Sequence, residues 1–227
     1  MYCGFNKYKV TFFCGIALLT ILIAGAWAIH HEPVERLDRM ILEWFNTRRT
    51  VGLDQFFSNV TWAGSSFILL PAILVQAFIL ITRKKVRDAM FLIGSFVGAS
   101  ALSNIFKFVI ARPRPDLFPS LISLPIGFSF PSSHASQITV FVLAELVLLK
   151  VSMGSKSFIL FTIAGGVLIV LVCISRLYLQ VHYPTDVVAG FLTSLFWVAA
   201  LADLMLPDRQ KLTFFLSSCC IDKGKQQ

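Results

Sequence analysis

Between Ser175 and Asp186 the chain reads Ser-Arg-Leu-Tyr-Leu-Gln-Val-His-Tyr-Pro-Thr-Asp, so a guanidinium, an imidazole and a carboxylate fall close together in otherwise oily sequence. Arg176 offers an oxyanion a permanent cation with two parallel N–H donors. His182, whose unperturbed side chain titrates near neutrality, can act as a nucleophile or move a proton. Pro184 suits the first turn of a helix, which places His182 just outside that helix and Asp186 one turn in. From there Asp186 can accept the imidazole N–H and set which ring nitrogen faces a reactant, the arrangement of an oriented nucleophile. The same residue types also make an ordinary polar cap at a helix boundary. Their weight therefore depends on what joins them.

Two further polar clusters do. Lys107, Arg112, Pro113, Arg114 and Pro115 end one apolar run, and Phe130-Pro131-Ser132-Ser133-His134 opens another. Ionisable residues so near hydrocarbon are costly unless they gather around something useful. Lys107, Arg114 and Arg176 would repel one another unless an anion sat between them, and a phosphate is the obvious candidate. Ser132 and Ser133 suit a helix N-cap, from which amide N–H groups and the positive dipole end would face an anion beside His134. The two histidines can then divide the work of phosphoryl transfer, His182 attacking phosphorus and His134 protonating the leaving oxygen.

The elements that must carry these residues are membrane helices. The 227-residue chain is 56% hydrophobic and 14% charged, with 22 Phe, a balance that points to an integral membrane protein. One domain over 1–227 is enough. An all-α bundle of six spans is expected at Val10–Ile29, Phe57–Thr82, Ala89–Ile110, Ser133–Lys150, Ser157–Ser175 and Pro184–Leu206. Ala26-Trp27-Ala28 resembles a processing site, but the first apolar core is long for a signal peptide, and an uncleaved span is expected. Gly94 and Gly98 form a Gly-x-x-x-Gly pair that lets another helix approach closely.

Val34–Arg49 reads as an additional amphipathic helix in the outer interface. Val34, Leu37, Met40, Ile41, Trp44 and Phe45 form its apolar face, and Glu35, Arg36, Asp38, Arg39 and Glu43 its polar one. It is either a packed anchor or a rim that guides lipid to the site. Lys7, Lys9, Arg83, Lys84, Lys85, Arg87, Lys150, Lys156, Arg209, Lys211, Lys223 and Lys225 fall on one side of the membrane, which makes both termini cytoplasmic and turns the polar clusters outward. The net charge of +8 therefore requires no nucleic-acid partner.

Lesser features have simpler readings. Cys14 and Cys173 lie in apolar runs and Cys3, Cys219 and Cys220 near the termini, so no disulfide framework is expected. His30 and His31 lack a nearby third ligand and read as surface residues. Arg112 reads as a solvated rim cation, with contact to a second phosphate as the other possibility. Glu145 lies eleven residues into its span, about 16 Å beyond His134 at helical rise, and is expected to be paired or protonated within the bundle. Asp203 sits near enough to the cytoplasmic end to need no special role. The Phe-, Leu- and Ile-rich loop Phe118–Phe130 either lines a lipid entrance or packs over the bundle.

Lys107 with Arg114-Pro115, then Pro131-Ser132-Ser133-His134, then Ser175-Arg176 with His182 and Asp186, resembles the three-part signature of the type-2 phosphatidic acid phosphatase family. That pattern runs Lys-x6-Arg-Pro, Pro-Ser-Gly-His and Ser-Arg-x5-His-x3-Asp, and it covers only the stretch from 107 to 186. The resemblance implies a metal-independent lipid phosphatase with no cofactor, acting on a membrane lipid phosphate in the bilayer. It implies His182 as nucleophile, His134 as general acid and Asp186 as the partner of His182. Lys107, Arg114, Arg176, Ser132 and the Ser133 amide would then bind the phosphate. The seven-residue spacing selects Arg114 over Arg112.

Short loops and small size suggest a bacterial inner-membrane enzyme. Undecaprenyl diphosphate or phosphatidylglycerophosphate is the favoured substrate, with phosphatidate and the 1-phosphate of lipid A as relatives of the same chemistry. A lipid phosphotransferase would use the same site, and a non-catalytic anion carrier could use the same cations. Ser133 replaces the usual Gly, which puts the fine geometry and substrate preference in question rather than the reaction class.

Overall fold

Long runs of Leu, Ile, Val, Phe and Ala can satisfy their backbone polar groups in hydrocarbon only by coiling into helices. The computed structural model, which describes residues 9–206 except 125 and 151, is helical throughout its regular elements. In order these are α1 (Lys9–Ala28), α2 (Glu32–Asn46), α3 (Val51–Val60), a 3₁₀ turn (Thr61–Gly64), α4 (Ser66–Thr82), α5 (Val86–Ile110), α6 (Ser133–Leu149), α7 (Ser155–Tyr178) and α8 (Pro184–Met205).

Five described stretches are long and apolar enough to cross a membrane: Val10–Ala28, Val51–Thr82, Val86–Ile110, Ser155–Tyr178 and Pro184–Met205. The expected fourth span, α6, is a shorter apolar helix of 17 residues. It is also the hub of the bundle, packed on α4, α5, α7 and α8. That position explains why it carries Ser136, Gln137, Thr139 and Glu145, all buried. Ser103 of α5, Ser136 of α6 and Ser194 of α8 join through their hydroxyls at 3.2 and 2.7 Å, tying three helices together.

The second apolar stretch is not one helix from Phe57. It breaks at Thr61–Gly64, and α4 restarts with the Ser65 hydroxyl accepting the Phe67 N–H at 3.2 Å. The reason is packing. A Cβ on Gly64 would sit 2.6 Å from Val172 Cγ1 and 3.1 Å from the His134 carbonyl, so the turn lies directly against α6 and α7. The Gly94/Gly98 groove is filled by a side chain, not by a neighbouring backbone: a Cβ on Gly98 would stand 2.1 Å from the Trp197 ring. The indole N–H of Trp197 donates to the carbonyls of Gly94 and Ser95.

Helix α2 also departs from its expected orientation. Asp38 does not belong to a solvated face; together with Leu42 it is turned inward and buried, while Leu37, Met40 and Trp44 are exposed. Of the other residues read from sequence, His31 is part-buried and stacks on Trp27 at 4.2 Å, while His30 is exposed. The Asp203 carboxylate accepts the Thr11 hydroxyl at 3.0 Å, linking α1 to α8. Cys14 and Cys173 are free thiols; Cys3, Cys219, Cys220 and the terminal cations Lys7, Arg209, Lys211, Lys223 and Lys225 lie outside the described residues.

Candidate active site

Helix direction alone gathers the three polar clusters. The end of α5, the start of α6, the end of α7 and the start of α8 meet at one end of the bundle, where a long segment links α5 to α6 and the turn 179–183 links α7 to α8. That segment begins with Ala111 in the left-handed region at φ 49°, a conformation that ends α5 and redirects the chain.

Lys107, in the last turn of α5, reaches across this segment. Its ammonium donates to the carbonyls of Phe128 (2.9 Å), Ser129 (3.3 Å) and Pro131 (2.7 Å). Arg114 is held by the Gly127 carbonyl (3.1 Å) and the Val181 carbonyl (3.0 Å), and its Nη1 stands 3.3 Å from His182 Nε2. Arg176 is 0% exposed. Its Nη1 donates to Thr61 Oγ1 at 2.5 Å, whereas Nε and Nη2 are buried with no partner among the described residues. A buried N–H without an acceptor is costly, and these two donors can receive an oxyanion.

His182 lies between α7 and α8. Its Nδ1 stands 3.4 Å from Asp186 Oδ2 and 3.3 Å from Ser129 Oγ. Ser129 Oγ and the Tyr183 N–H (2.9 Å) both donate to Asp186 Oδ2. With an Arg114 N–H directed at Nε2, the consistent tautomer carries its proton on Nδ1, toward Ser129 and Asp186. Burial, with Arg176 and Arg114 acting in the same direction against Asp186, pushes the His182 pKa down to about 3. Its neutral form therefore persists far below the usual imidazole range. Burial also pushes Arg114 below the ordinary guanidinium value, against the pull of Asp186.

His134 is the second residue of α6, part-buried, and Arg176, His182, Arg114 and Lys107 all lie within its electrostatic reach. Ser132 caps α6 through its hydroxyl, and its N–H donates to the Asp186 carbonyl at 3.0 Å. Ser133 opens α6 with right-handed backbone, so this position does not draw on the conformational freedom of the glycine it replaces. Lys107, Arg114, Arg176, His134, His182, Asp186, Ser132 and Ser133 thus all converge.

Arg112 overturns its expectation. It is buried, not a rim cation: Nη1 donates to Asp186 Oδ1 (2.7 Å) and Thr185 Oγ1 (2.6 Å), and Nη2 to Asp38 Oδ2 (2.8 Å). Burial lowers its pKa, but Asp186 and Asp38 outweigh that and leave it above the ordinary value. Four residues with no counterpart in the sequence reading of the site complete its support: Asp38, Thr61, Ser129 and Thr185. In the sequence Asp38 stood only among the acids on the polar face of an amphipathic helix, and Thr185 only inside the Ser175–Asp186 stretch.

Comparison with known proteins gives several matches. The model of the PAP2 superfamily matches residues 88–209. Phosphatidylglycerophosphatase B of Bacillus subtilis (strain 168) is 32% identical over 178 residues, covering 78% of this chain and 87% of that protein. Undecaprenyl-diphosphatase of Sulfolobus acidocaldarius is 32% identical over 160 residues, covering 66% and 68%. Among solved structures, the transmembrane PAP2 type phosphatidylglycerolphosphate phosphatase of B. subtilis aligns with a TM-score of 0.75 at 31% identity, over 87% of this chain and 96% of that one. Aquifex aeolicus LpxE shares the fold, with a TM-score of 0.58 at 23% identity over 74% of this chain and 94% of that one.

Proposed function

The chain belongs to the PAP2 superfamily, and from that premise we propose that it is a membrane phosphatase that removes phosphate from a lipid phosphate or diphosphate through a phospho-His182 intermediate. The observation that carries this reading is the His182 ring itself, with Nε2 facing the Arg114 guanidinium at 3.3 Å and Nδ1 held by Asp186 and Ser129. In the first step Nε2 attacks phosphorus, a P–N bond forms, and the P–O bond to the lipid breaks. His134 gives its proton to the departing oxygen. In the second step His134 takes a proton from water, which attacks phosphorus and restores the neutral imidazole with release of inorganic phosphate. Arg176, Arg114 and Lys107, with the amides that open α6, stabilise the charge on the equatorial oxygens, where most of the rate enhancement in phosphoryl transfer resides.

Phosphatidylglycerophosphate and undecaprenyl diphosphate are the proposed substrates, because the relatives that cover most of this chain carry names for those activities. The bundle is read as six spans, α3 and α4 together making the second and α6 the fourth. Helix α2 is read as lying in the interface: Leu37, Met40 and Trp44 are exposed toward the acyl chains, and Arg36, Arg39 and Glu43 toward water. Arg83, Lys84, Lys85 and Arg87 at the α4–α5 turn and Lys150 and Lys156 at the α6–α7 turn cluster at the end opposite the site. This supports a bacterial plasma-membrane enzyme with cytoplasmic termini and an extracytoplasmic site.

A panel of purified lipid phosphates, assayed in EDTA with intact protein and with His182→Ala, tests the proposal. The intact protein is expected to release inorganic phosphate one-for-one with lipid consumed, and vanadate to inhibit it by mimicking five-coordinate phosphorus. Turnover by His182→Ala at the intact rate would overturn the nucleophile assignment. A shortfall of inorganic phosphate would mean transfer to a lipid hydroxyl, and activity lost in EDTA would mean a metal takes part.

A further inference from the structure

We infer that Asp38 and Arg112 are positioning residues for the His182–Asp186 pair, so that helix α2 takes part in catalysis rather than only anchoring the bundle. This rests on the reading of His182 as nucleophile.

The Arg112 fork joins two carboxylates, Asp186 Oδ1 at 2.7 Å and Asp38 Oδ2 at 2.8 Å, and lies over the Tyr183 ring at 3.9 Å. Both N–H groups of Nη1 and one of Nη2 are therefore engaged with carboxylates and Thr185, whereas Arg176 meets only the Thr61 hydroxyl. Its partner on α2 is equally committed. Asp38 accepts the Thr185 N–H (3.1 Å) and the Thr185 hydroxyl (2.6 Å), while Thr185 Oγ1 also accepts from Arg112 (2.6 Å). Asp38 thus caps α8 from far away in sequence, a task normally done by a residue just before the helix.

The consequence falls on Asp186. Arg112 occupies Oδ1, which leaves Oδ2 to receive Ser129 Oγ and the Tyr183 N–H and to face His182 Nδ1. Without that hold the carboxylate can turn away from the imidazole. Helix α2 grips the other flank of His182 as well. Gln180 adopts φ 60°, a strained value for a residue with a side chain, and its amide donates to the Leu42 carbonyl at 2.9 Å. The nucleophile turn is therefore fastened to α2 on both sides.

Asp38→Asn, Arg112→Gln and His182→Ala variants of the full-length protein, purified in detergent, decide the matter. A nucleophile displaced by about 1 Å loses about 100-fold in rate, so kcat is expected to fall by that order in the first two. KM and inhibition by inorganic phosphate should stay within about threefold. Besides Arg112 and Asp38, the charged or titratable groups around the His182–Asp186 pair are Lys107 from α5, Arg114 from the following segment, His134 from α6 and Arg176 from α7. Removing the Arg112 cation favours the imidazolium, so the acid limb of kcat/KM should move to higher pH in Arg112→Gln, after allowance for ionisation of the substrate phosphate. Removing the Asp38 anion should move it lower. A merely structural role would lower the unfolding temperature without moving the limb.

Folded variants with intact kcat and an unshifted limb would overturn the inference. So would a raised KM at unchanged kcat, which would make Arg112 a phosphate ligand. If Arg112→Gln does not fold, Asp38→Asn decides alone, because it keeps the shape and one of the two acceptors for Thr185. An active His182→Ala would instead overturn the underlying mechanism, an outcome distinct from failure of the positioning role.

Discussion

His182 is useful as a nucleophile only while Nε2 keeps its lone pair, and its burial secures that state. With its pKa pushed down to about 3, it stays neutral as pH falls from 7 to 5. A decline of kcat/KM in that window should therefore follow ionisation of the substrate phosphate, and a substrate lacking ionisation there should show a flat profile. His134 has the other half of the proposed chemistry. His134→Ala is expected to lose about 10²–10⁴-fold on lipid phosphates, the usual contribution of a general acid. An aryl phosphate, whose leaving group departs unprotonated, should be cleaved nearly as well as by the intact protein. Equal losses on both substrates would remove His134 from the acid role.

At the scale of elements, the site depends on how closely α6 and α8 approach. A Cβ on Gly190 would lie 2.6 Å from the Ser132 carbonyl and 3.3 Å from the Ser136 N–H, so Gly190→Ala must shift the backbone that opens α6. That turn also carries the Ser132 N–H bond to the Asp186 carbonyl. Gly190→Ala is expected to lower kcat well beyond its effect on thermal unfolding. Gly98→Ala acts away from the site, against the Trp197 ring 2.1 Å from the added Cβ. It should cost about 1–3 kcal/mol of stability, as overpacking does, with a smaller effect on kcat per folded molecule. The break at Thr61–Gly64 belongs to the same account. A continuous helix from 57 to 82 would carry Thr61 in a regular turn, whereas the break lets its hydroxyl meet Arg176 Nη1.

Taken whole, the molecule is a multi-pass membrane protein with charge segregated along the bundle axis. Arg83, Lys84, Lys85 and Arg87 lie at one end, and Lys107, Arg114 and Arg176 at the other, where carbonyls hold Lys107 and Arg114 and the Thr61 hydroxyl meets Arg176. Only the first set is free to answer to membrane topology. A cysteine placed at Lys84 in a cysteine-free background should be labelled from the cytoplasm, and one at Ile126, which is fully exposed beside the site, from outside. The reverse pattern would invert the proposed orientation.

The sequence by itself determined the helical membrane class, the approximate bounds of five candidate spans and the polar residues that meet at one end of the bundle, because each is written locally. Apolar run length sets a span, and residue type with short spacing sets what a cluster can do. The tertiary structure alone decided where Arg112 and Asp38 lie. Both looked like solvated surface charges, since an exposed and a buried ionisable residue have the same letter. Only folding brings an α2 carboxylate onto a cation 74 residues later in the chain and commits both to the carboxylate that faces His182. The same holds for Ser129 and Thr61, whose partners lie 57 and 115 residues away. A hydrogen bond spanning such distances leaves no periodicity to read.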